Sequence, residues 1–255
     1  MLNFDRSVHP RVRVSKQKIT DALFFLLNEK KLDDITIADI IGATAIKDTY
    51  GVAVGRQTFY AHFNSKSDVI EDYFMGFFKN SYLKIKLAKE SLPLGHKLSM
   101  RSFDIIFSEF EPVRKRIMEI FENSKDPGFV SSLNSVAVKT ATLFLSDLYR
   151  NVFNLKEDSP EDELFYNIII NMSSGSIAAI FSSWLVGKYT GNLKFLIEYV
   201  SRYNLVALTY STSVYEFKLG REKGLDGFID GMKNLDPDAK DALFYKSVFF
   251  KEEHE

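Results

Sequence analysis

Two phenylalanines one helical turn apart lie in a short segment whose other side chains are mostly polar. Phe59 and Phe63 are four residues apart, so in a helix both point to one face and anchor it. The other tips of the segment carry hydrogen-bonding groups: Arg56, Gln57, Thr58, Tyr60 and His62. Arginine and glutamine make paired hydrogen bonds to guanine and adenine edges, whereas threonine and tyrosine commonly donate to phosphate. The segment therefore predicts either a helix that reads nucleic acid or an ordinary surface helix with two buried rings.

Helical spacing continues on both sides of this segment. Upstream, apolar residues recur at helical intervals in residues 16–28 and again just after Thr36. Thr36, followed three residues later by Asp39, resembles a capping box with Asp in place of the usual Glu or Gln. Ser65 and Asp68 repeat the pattern at the start of a long stretch with one apolar face. Four helices, of which the third is short and polar-tipped, predict a helix-turn-helix domain.

Three stretches of this region resemble the DNA-binding domain of the TetR family of bacterial transcription regulators. They are Ile-Thr-Ile-Ala-Asp-Ile at residues 35–40, Val-Gly-Arg-Gln-Thr-Phe-Tyr-Ala-His-Phe at residues 54–63, and Asn-Ser-Lys-Ser-Asp at residues 64–68. The resemblance is specific over residues 15–75, and the rest of the chain is similar only in being helical. It implies that double-stranded DNA is the partner, contacted by Thr36, Arg56, Gln57, Thr58, Tyr60, His62 and Lys66. Thr36 and Lys66 are expected to hold phosphates at two helix N-termini.

The connection between the second and third predicted helices is longer than in the family pattern, with extra residues within 42–52. A helix-turn-helix usually turns in about three or four residues, so either the second helix is extended or the turn has become a loop. Ala45 continues the helical spacing of the preceding isoleucines, which favours a second helix that ends near Tyr50 and Gly51. The insert holds one lysine next to one aspartate and adds no net charge, so we expect a spacer rather than a phosphate contact.

Composition excludes several other classes of protein. The 255 residues have a formal net charge of −1, with 45% hydrophobic and 26% charged residues, as is typical of soluble globular proteins. Cysteine is absent, which excludes disulfides and thiolate chemistry and suits a cytoplasmic location. The N-terminus has no apolar run that predicts a signal peptide. The histidines are scattered and phosphate-binding glycine motifs are absent, so we expect no metal, no cofactor and no enzymatic activity.

Helix signals divide the chain into four parts. Residues 1–14 are either a basic arm that contacts phosphates or a solvated tail. Residues 15–64 are the expected helix-turn-helix domain, residues 65–204 a helical regulatory and dimerisation domain, and residues 205–255 a helical extension. Strand signals are few. The predicted fold class is therefore all-α, with an N-terminal three-helix helix-turn-helix domain and a C-terminal helical domain for dimerisation and ligand binding.

Proline, glycine and capping residues mark the helices of the second part. Ser159 followed by Pro160 and three acidic residues is the strongest start signal, since it combines a cap, a first-turn proline and a favourable dipole. Pro112 also predicts a helix start. The predicted helices are residues 65–90, a helix that begins at Pro112, and residues 129–151, 164–187 and 192–204.

Residues 164–187 carry no charge and are long enough to cross a bilayer. Their asparagines and serines favour a buried helix at a subunit interface instead, so no membrane partner is expected. Small residues and one large ring in this helix predict half of a symmetric dimer interface, or tight packing within one subunit: Ser173, Gly175, Ser176, Ala179 and Trp184. The family resemblance implies a dimer formed through the last two helices, at about 160–187 and 192–204.

The chain is rich in aromatic residues, with 23 phenylalanines and 12 tyrosines. Four of them either line an apolar ligand cavity or fill the core: Phe103, Phe107, Phe110 and Phe121. Only the family resemblance implies a small apolar or aromatic effector.

The sequence as a whole predicts a homodimeric TetR-type transcriptional regulator. The resemblance implies a repressor that binds a near-palindromic operator and is released by a small-molecule effector. The alternative is a TetR-like protein that has lost direct DNA binding and acts as a protein-interaction module.

Overall fold

The computed structural model of the protein describes residues 9–46, 53–92, 95–153 and 159–218. In these ranges the chain forms eight α-helices, one short 3₁₀ helix and no strand. The helices are α1 (Pro10–Leu26), the 3₁₀ helix (Leu32–Asp34), α2 (Ile37–Ile46), α3 (Arg56–His62), α4 (Lys66–Ser91), α5 (His96–Ser124), α6 (Pro127–Phe153), α7 (Pro160–Leu185) and α8 (Leu193–Lys218). The all-α fold class is therefore confirmed for the described residues.

The first helix begins at Pro10, within the stretch predicted to be a basic arm. Proline suits the first helical position because the N–H that it lacks has no partner there anyway. The Nδ1 atom of His9 accepts a hydrogen bond from the backbone N–H of Arg11 at 3.3 Å and caps the helix. Arg11 and Arg13 are consequently exposed on the first turn of α1 and not on an irregular tail.

The predicted helix start at Pro112 is wrong, because α5 continues through this proline from His96 to Ser124. A proline inside a helix removes one hydrogen bond and crowds the preceding turn. Here the apolar face of α5 is buried on both sides of the proline, which offsets that loss: Phe107 and Phe110 precede it, and Ile117 and Ile120 follow it.

The other helix signals have local explanations in the structure. Ser159 Oγ accepts a hydrogen bond from the N–H of Asp162 at 3.2 Å, so the predicted start of α7 is confirmed. Asn192 Oδ1 caps α8 by accepting from the N–H of Lys194 at 2.9 Å. Helix α8 continues to Lys218, past the predicted end at residue 204, so the expected extension begins inside a helix.

The chain forms two compact units, each assembled from separate stretches. The first combines Met1–Tyr82, Phe107–Leu143 and Ser174–Thr190, and the second combines Leu83–Ile106, Phe144–Ser173 and Gly191–Glu255. The domain limits predicted at residues 14, 64 and 204 divide the chain into consecutive segments. Each of the two units instead combines stretches that are separated in the sequence.

Aromatic rings form the core of the first unit. Phe110 is fully buried, and its ring centroid lies 4.7 Å from that of Phe78 and 4.8 Å from that of Phe181. The ring of Phe24 on α1 lies 6.2 Å from Phe74 on α4 and 6.4 Å from Phe129 on α6. These tilted and edge-on pairs stabilise the packing beyond simple burial of apolar area. Helix α1 therefore packs against this aromatic core.

The second unit has a smaller apolar cluster between α6 and α7. Tyr166, Ile169 and Ile170 are buried, and Leu145 and Phe165 pack against them. The hydroxyl of Tyr166 donates a hydrogen bond to the carbonyl of Ser146 at 3.2 Å.

Two helices are long and apolar enough to cross a membrane by length and composition alone, namely Pro127–Ser146 and Pro160–Leu185. In each, 33% of the tested window is buried inside the protein. The core helices of soluble proteins pass the same test, so this finding by itself assigns no membrane role.

Candidate nucleic-acid interface

Helix α3 is anchored by the two phenylalanines that the sequence singles out. Phe59 is fully buried and Phe63 is 3% exposed, and their ring centroids are 6.0 Å apart. Gly55 precedes the helix with extended backbone angles, and its carbonyl accepts the N–H of Phe59 at 3.0 Å. Helices α1, α2 and α3 pack against one another. The short helix therefore has one face fixed by burial and another that faces outward.

The outward face of α3 carries three of the predicted contact residues. Arg56, Gln57 and Tyr60 are exposed, and Tyr60 retains 46% of its accessible surface. The guanidinium carbon of Arg56 lies 5.8 Å from the centre of the Tyr60 ring, within the range of a cation–π contact. Thr58 is half-buried beside them. The structure thus places a cation, an amide and a phenol together on one open surface.

The His62 side chain makes a hydrogen bond within the protein. Its Nε2 lies 2.7 Å from the hydroxyl oxygen of Ser15 on α1. That hydroxyl also lies 3.1 Å from the carbonyl of Arg11 and 3.0 Å from that of Val12. With the hydroxyl proton donated to a carbonyl, the histidine Nε2–H donates to Ser15. His62 thereby links the end of α3 to α1.

Thr36 and Asp39 form the capping box that the sequence predicts at the start of α2. Asp39 Oδ2 accepts from the N–H of Thr36 at 2.8 Å and from its hydroxyl at 2.7 Å, while Thr36 Oγ1 accepts from the N–H of Asp39 at 3.1 Å. These hydrogen bonds from Thr36, backbone first, lower the pKa of Asp39 below its ordinary value. Thr36 itself is exposed at this helix N-terminus.

A second capping box joins α3 to α4. The hydroxyl of Ser65 donates to Asp68 Oδ1 at 2.7 Å and accepts from the N–H of Asp68 at 3.1 Å. The N–H of Asn64 donates to Asp68 Oδ2 at 3.0 Å. The pKa of Asp68 is lowered, chiefly by the hydrogen bond from the Ser65 hydroxyl. The exit of α3 is therefore fixed in direction by the start of α4.

The predicted phosphate-binding role of Lys66 is not supported by its surroundings. Its ammonium group donates to the backbone carbonyls of Leu32, Asp33 (3.1 Å) and Ile35 (2.8 Å), all in the turn between α1 and α2. An ammonium group has three N–H donors, so these carbonyls use its full capacity. We therefore assign Lys66 a structural role in holding that turn.

The inserted stretch is closed by a hydrogen bond at its ends. The hydroxyl of Thr44 on α2 donates to the carbonyl of Ile41 at 2.6 Å and accepts from the N–H of Val54 at 2.8 Å. Helix α2 is described as far as Ile46, and the expected helix end near Tyr50 and Gly51 lies outside the described residues.

Asp126 connects two parts of the first unit that are distant in the sequence. It is 2% exposed. One carboxylate oxygen accepts from the N–H of Leu32 at 2.6 Å, and the other accepts from the N–H of Gly128 at 2.8 Å in the first turn of α6. The Asp-Pro-Gly sequence is compatible with a helix cap, but the contact with Leu32 leaves no local signal.

The residues predicted for a ligand cavity all lie on α5. Phe107 and Phe110 belong to the aromatic core of the first unit, Phe121 is half-buried, and Phe103 is buried in the second unit. The Phe107 ring lies 4.7 Å from Trp184 and 5.7 Å from Phe181. These contacts support the core-filling interpretation for Phe107 and Phe110.

Trp184 was predicted either at a dimer interface or in tight packing within one subunit, and its surroundings favour packing within the subunit. The side chain is 3% exposed, its ring contacts Phe107, and the guanidinium carbon of Arg114 lies 4.8 Å above it. Large apolar rings are commonly buried inside a protein, and here the core of the same subunit encloses the ring. The other four predicted interface residues are more accessible: Ser173, Gly175 and Ser176 are half-buried, and Ala179 is exposed.

Among the described residues, no three histidine or carboxylate side chains are grouped as a metal site needs. No model of a known protein family matches this chain, and no curated protein is significantly similar to it.

Proposed function

We propose that the protein is a TetR-type transcriptional regulator that binds DNA through a helix-turn-helix formed by α2 and α3. The observation that carries this proposal is the construction of α3. Phe59 and Phe63 fix the helix from below, and Arg56, Gln57 and Tyr60 are left on its open face. A helix that only covered a core would not need this combination of an amide, a cation and a phenol.

In the proposed complex, α3 enters the major groove of the duplex. Arg56 and Gln57 have the donors and acceptors for base edges, and Tyr60 is suited to a phosphate. The exposed N-terminus of α2 at Thr36 offers a second phosphate contact through its positive dipole end. His62 takes part indirectly, because its ring orients α3 against Ser15.

The N-terminal turn of α1 supports the electrostatic part of this proposal. Arg11 and Arg13 are exposed there, and α1 packs directly against α3. Cations beside a reading helix add sequence-independent phosphate contacts, which weaken as salt is raised. Two exposed cations therefore lie on the helix that packs against the proposed reading helix.

The second unit supplies an apolar surface for the proposed homodimer. On α7, three large apolar side chains at intervals of four residues are exposed, namely Leu164 (62%), Ile168 (47%) and Met172 (67%). On α8, exposed aromatic side chains recur at helical intervals of four, four and seven residues: Phe195, Tyr199, Tyr203 and Tyr210. Such faces are typical of interfaces between subunits. They take the place of Trp184 in the proposed interface.

A symmetric dimer explains a near-palindromic operator. Two copies of α3 related by a twofold axis would read two half-sites about 34–36 Å apart, or a multiple of that distance. We further propose a cytoplasmic repressor whose release depends on a small apolar or aromatic effector. This last part rests on the family resemblance alone.

A TetR-like protein-interaction module is the second candidate function. The observation that favours it is the stretch between α2 and α3, which is longer than the short turn of the motif. In this alternative, α3 and its exposed side chains contact another protein.

A selection of bound sequences from random duplex DNA tests the proposal. We expect enrichment of an inverted repeat, and an affinity for it that falls as salt is raised from about 50 to 200 mM. The Gln57→Ala variant should change the tolerated base at one position by about 1–3 kcal/mol. The Tyr60→Ala variant should instead weaken binding to all duplexes alike, because phosphate contacts carry no sequence information.

The matched control is Lys115→Ala, which removes a cation on α5 whose side chain is 90% exposed. It should leave the selected sequence and the affinity unchanged. A folded wild-type protein with neither sequence preference nor salt-dependent binding would contradict the proposal and support the protein-interaction module.

A further inference from the structure

The extra residues between α2 and α3 raise the question of how the orientation of α3 relative to α2 is fixed. The tilt and depth of the second helix of such a motif are set by the helix before it. A longer connection constrains the position of α3 relative to α2 less closely, since each added residue enlarges the set of conformations that can join two fixed ends. Some contact must therefore relate the start of α3 to α2 independently of the inserted residues.

The hydroxyl of Thr44 makes such a contact. It accepts the N–H of Val54, which is ten residues further along the sequence, at 2.8 Å. Thr44 is fully inaccessible and Val54 is 8% exposed, so the hydrogen bond is shielded from water. Thr44 is in the last turns of α2, and Val54 directly precedes Gly55, the residue before α3.

This contact differs from the usual hydrogen bond of a threonine inside a helix. Threonine commonly donates to a carbonyl in the preceding turn, and Thr44 does so with Ile41 at 2.6 Å. That bond orients the hydroxyl, so that its lone pair is left for the incoming N–H of Val54. The chain then reaches α3 through Gly55, whose carbonyl accepts the N–H of Phe59. One hydroxyl thus connects α2 to the first turn of α3.

We propose that Thr44 is the positioning residue that keeps α3 in register with α2 despite the extra residues between them. The inference rests on the proposed function, because it explains how the reading helix keeps its geometry. It also predicts that the inserted residues can vary while the angle between α2 and α3 stays the same.

The test compares Thr44→Val with Thr44→Ser in the full chain. Valine has nearly the same shape as threonine but no acceptor, and it leaves the buried N–H of Val54 without its partner. Serine keeps the oxygen. We expect hydrogen exchange at the Val54 and Phe59 amides to speed up by about tenfold or more in the valine variant and to stay near the wild-type rate in the serine variant.

Duplex binding gives the second measurement, made at a temperature where every variant is fully folded. We expect Thr44→Val to bind the selected operator about tenfold more weakly and Thr44→Ser to bind it within about twofold of wild type. Ile40→Val is the matched control, because Ile40 is a fully buried residue of the same helix that has no part in the Thr44–Val54 hydrogen bond. It should lower stability but leave the operator affinity of the folded protein unchanged.

Two results would overturn the inference. One is an unchanged exchange rate at Val54 or Phe59 in Thr44→Val. The other is an affinity loss in Thr44→Val that Ile40→Val reproduces, which would make it a general effect of stability. If the wild-type protein binds no DNA, the proposed function fails, whereas the exchange rates still decide whether Thr44 positions α3.

Discussion

The ammonium group of Lys66 is enclosed by the backbone carbonyls of Leu32, Asp33 and Ile35. Replacing Lys66 with Met keeps most of the side-chain length but removes all three donors. Since partly buried carbonyls would lose their partners, we expect the free energy of unfolding to fall by about 1–3 kcal/mol. Urea denaturation of the two proteins measures this difference.

Lys115→Met is the control for Lys66. The Nζ atom of Lys115 lies 3.8 Å from Oε1 of Glu119, and the Lys115 side chain is 90% exposed. Its replacement should therefore alter the free energy of unfolding by less than about 0.5 kcal/mol. Equal losses in the two variants would show that the carbonyls around Lys66 contribute nothing specific.

The two capping carboxylates predict a weakening of the protein in acid. The pKa values of Asp39 and Asp68 are lowered below the ordinary 3.8, so both carboxylates remain ionised to lower pH in the folded chain than in the unfolded chain. Their contribution to stability is therefore fully present above the ordinary value and is lost as the pH falls through the folded value.

We expect urea midpoints measured between about pH 5 and pH 2 to fall more steeply for wild type than for Asp39→Asn or Asp68→Asn. The Ser65→Ala variant removes the hydroxyl that contributes most to the shift of Asp68, so its slope should also be shallower. Identical slopes in all four proteins would contradict this explanation of the shifts.

Asp126 joins two helical elements that are far apart in the sequence. Its carboxylate caps α6 through Gly128 and accepts from the N–H of Leu32 in the 3₁₀ helix. Two carbonyls of the same 3₁₀ helix, those of Leu32 and Asp33, accept from Lys66. The turn between α1 and α2 is thus fixed by side chains from α4 and from the start of α6. A displacement of the first turn of α6 would therefore strain or break the hydrogen bond between Asp126 and Leu32 in this turn.

Replacing Asp126 with Ser separates these two roles. Serine is a good cap for α6 but has only one oxygen, so the N–H of Leu32 loses its partner, at a cost of about 1–3 kcal/mol. The Asp126→Ala variant loses the cap as well, so its free energy of unfolding should fall by about 1 kcal/mol more. A serine variant as stable as wild type would show that the contact with Leu32 is dispensable.

The proposed dimer forms through the exposed apolar faces of α7 and α8. Light scattering should report twice the chain mass, because the exposed side chains of both helices are buried in the proposed dimer. Changing Ile168 to Glu places a charge in that interface, and we expect monomers and loss of operator binding. The control Lys115→Glu adds negative charge on an exposed site of α5 and should remain dimeric.

A wild-type protein that stays monomeric at micromolar concentration would contradict the proposed dimer. In that event, the exposed stripe from Phe195 to Tyr210 would need another partner.

Short-range patterns in the sequence were sufficient for much of the secondary structure. The spacing of Phe59 and Phe63, the capping box at Thr36 and the start of α7 at Ser159 all depend on residues within four positions of one another. Such signals act through local backbone geometry, so they can be read without knowing the fold. Pro112 is an exception, because burial of the α5 face outweighs a local signal for a helix start there.

Contacts between residues that are distant in the sequence could not be predicted from local patterns. Lys66 lies 34 residues from Leu32 along the chain, and Asp126 lies 94 residues from it, yet both hold the same turn. Whether a lysine meets a phosphate or a carbonyl, and whether Trp184 faces a partner or Phe107, depends on which surfaces the fold brings together. The polar side chains of α3 that are proposed to bind DNA could therefore be identified in the sequence, whereas packing decided which of them are exposed and which support the fold.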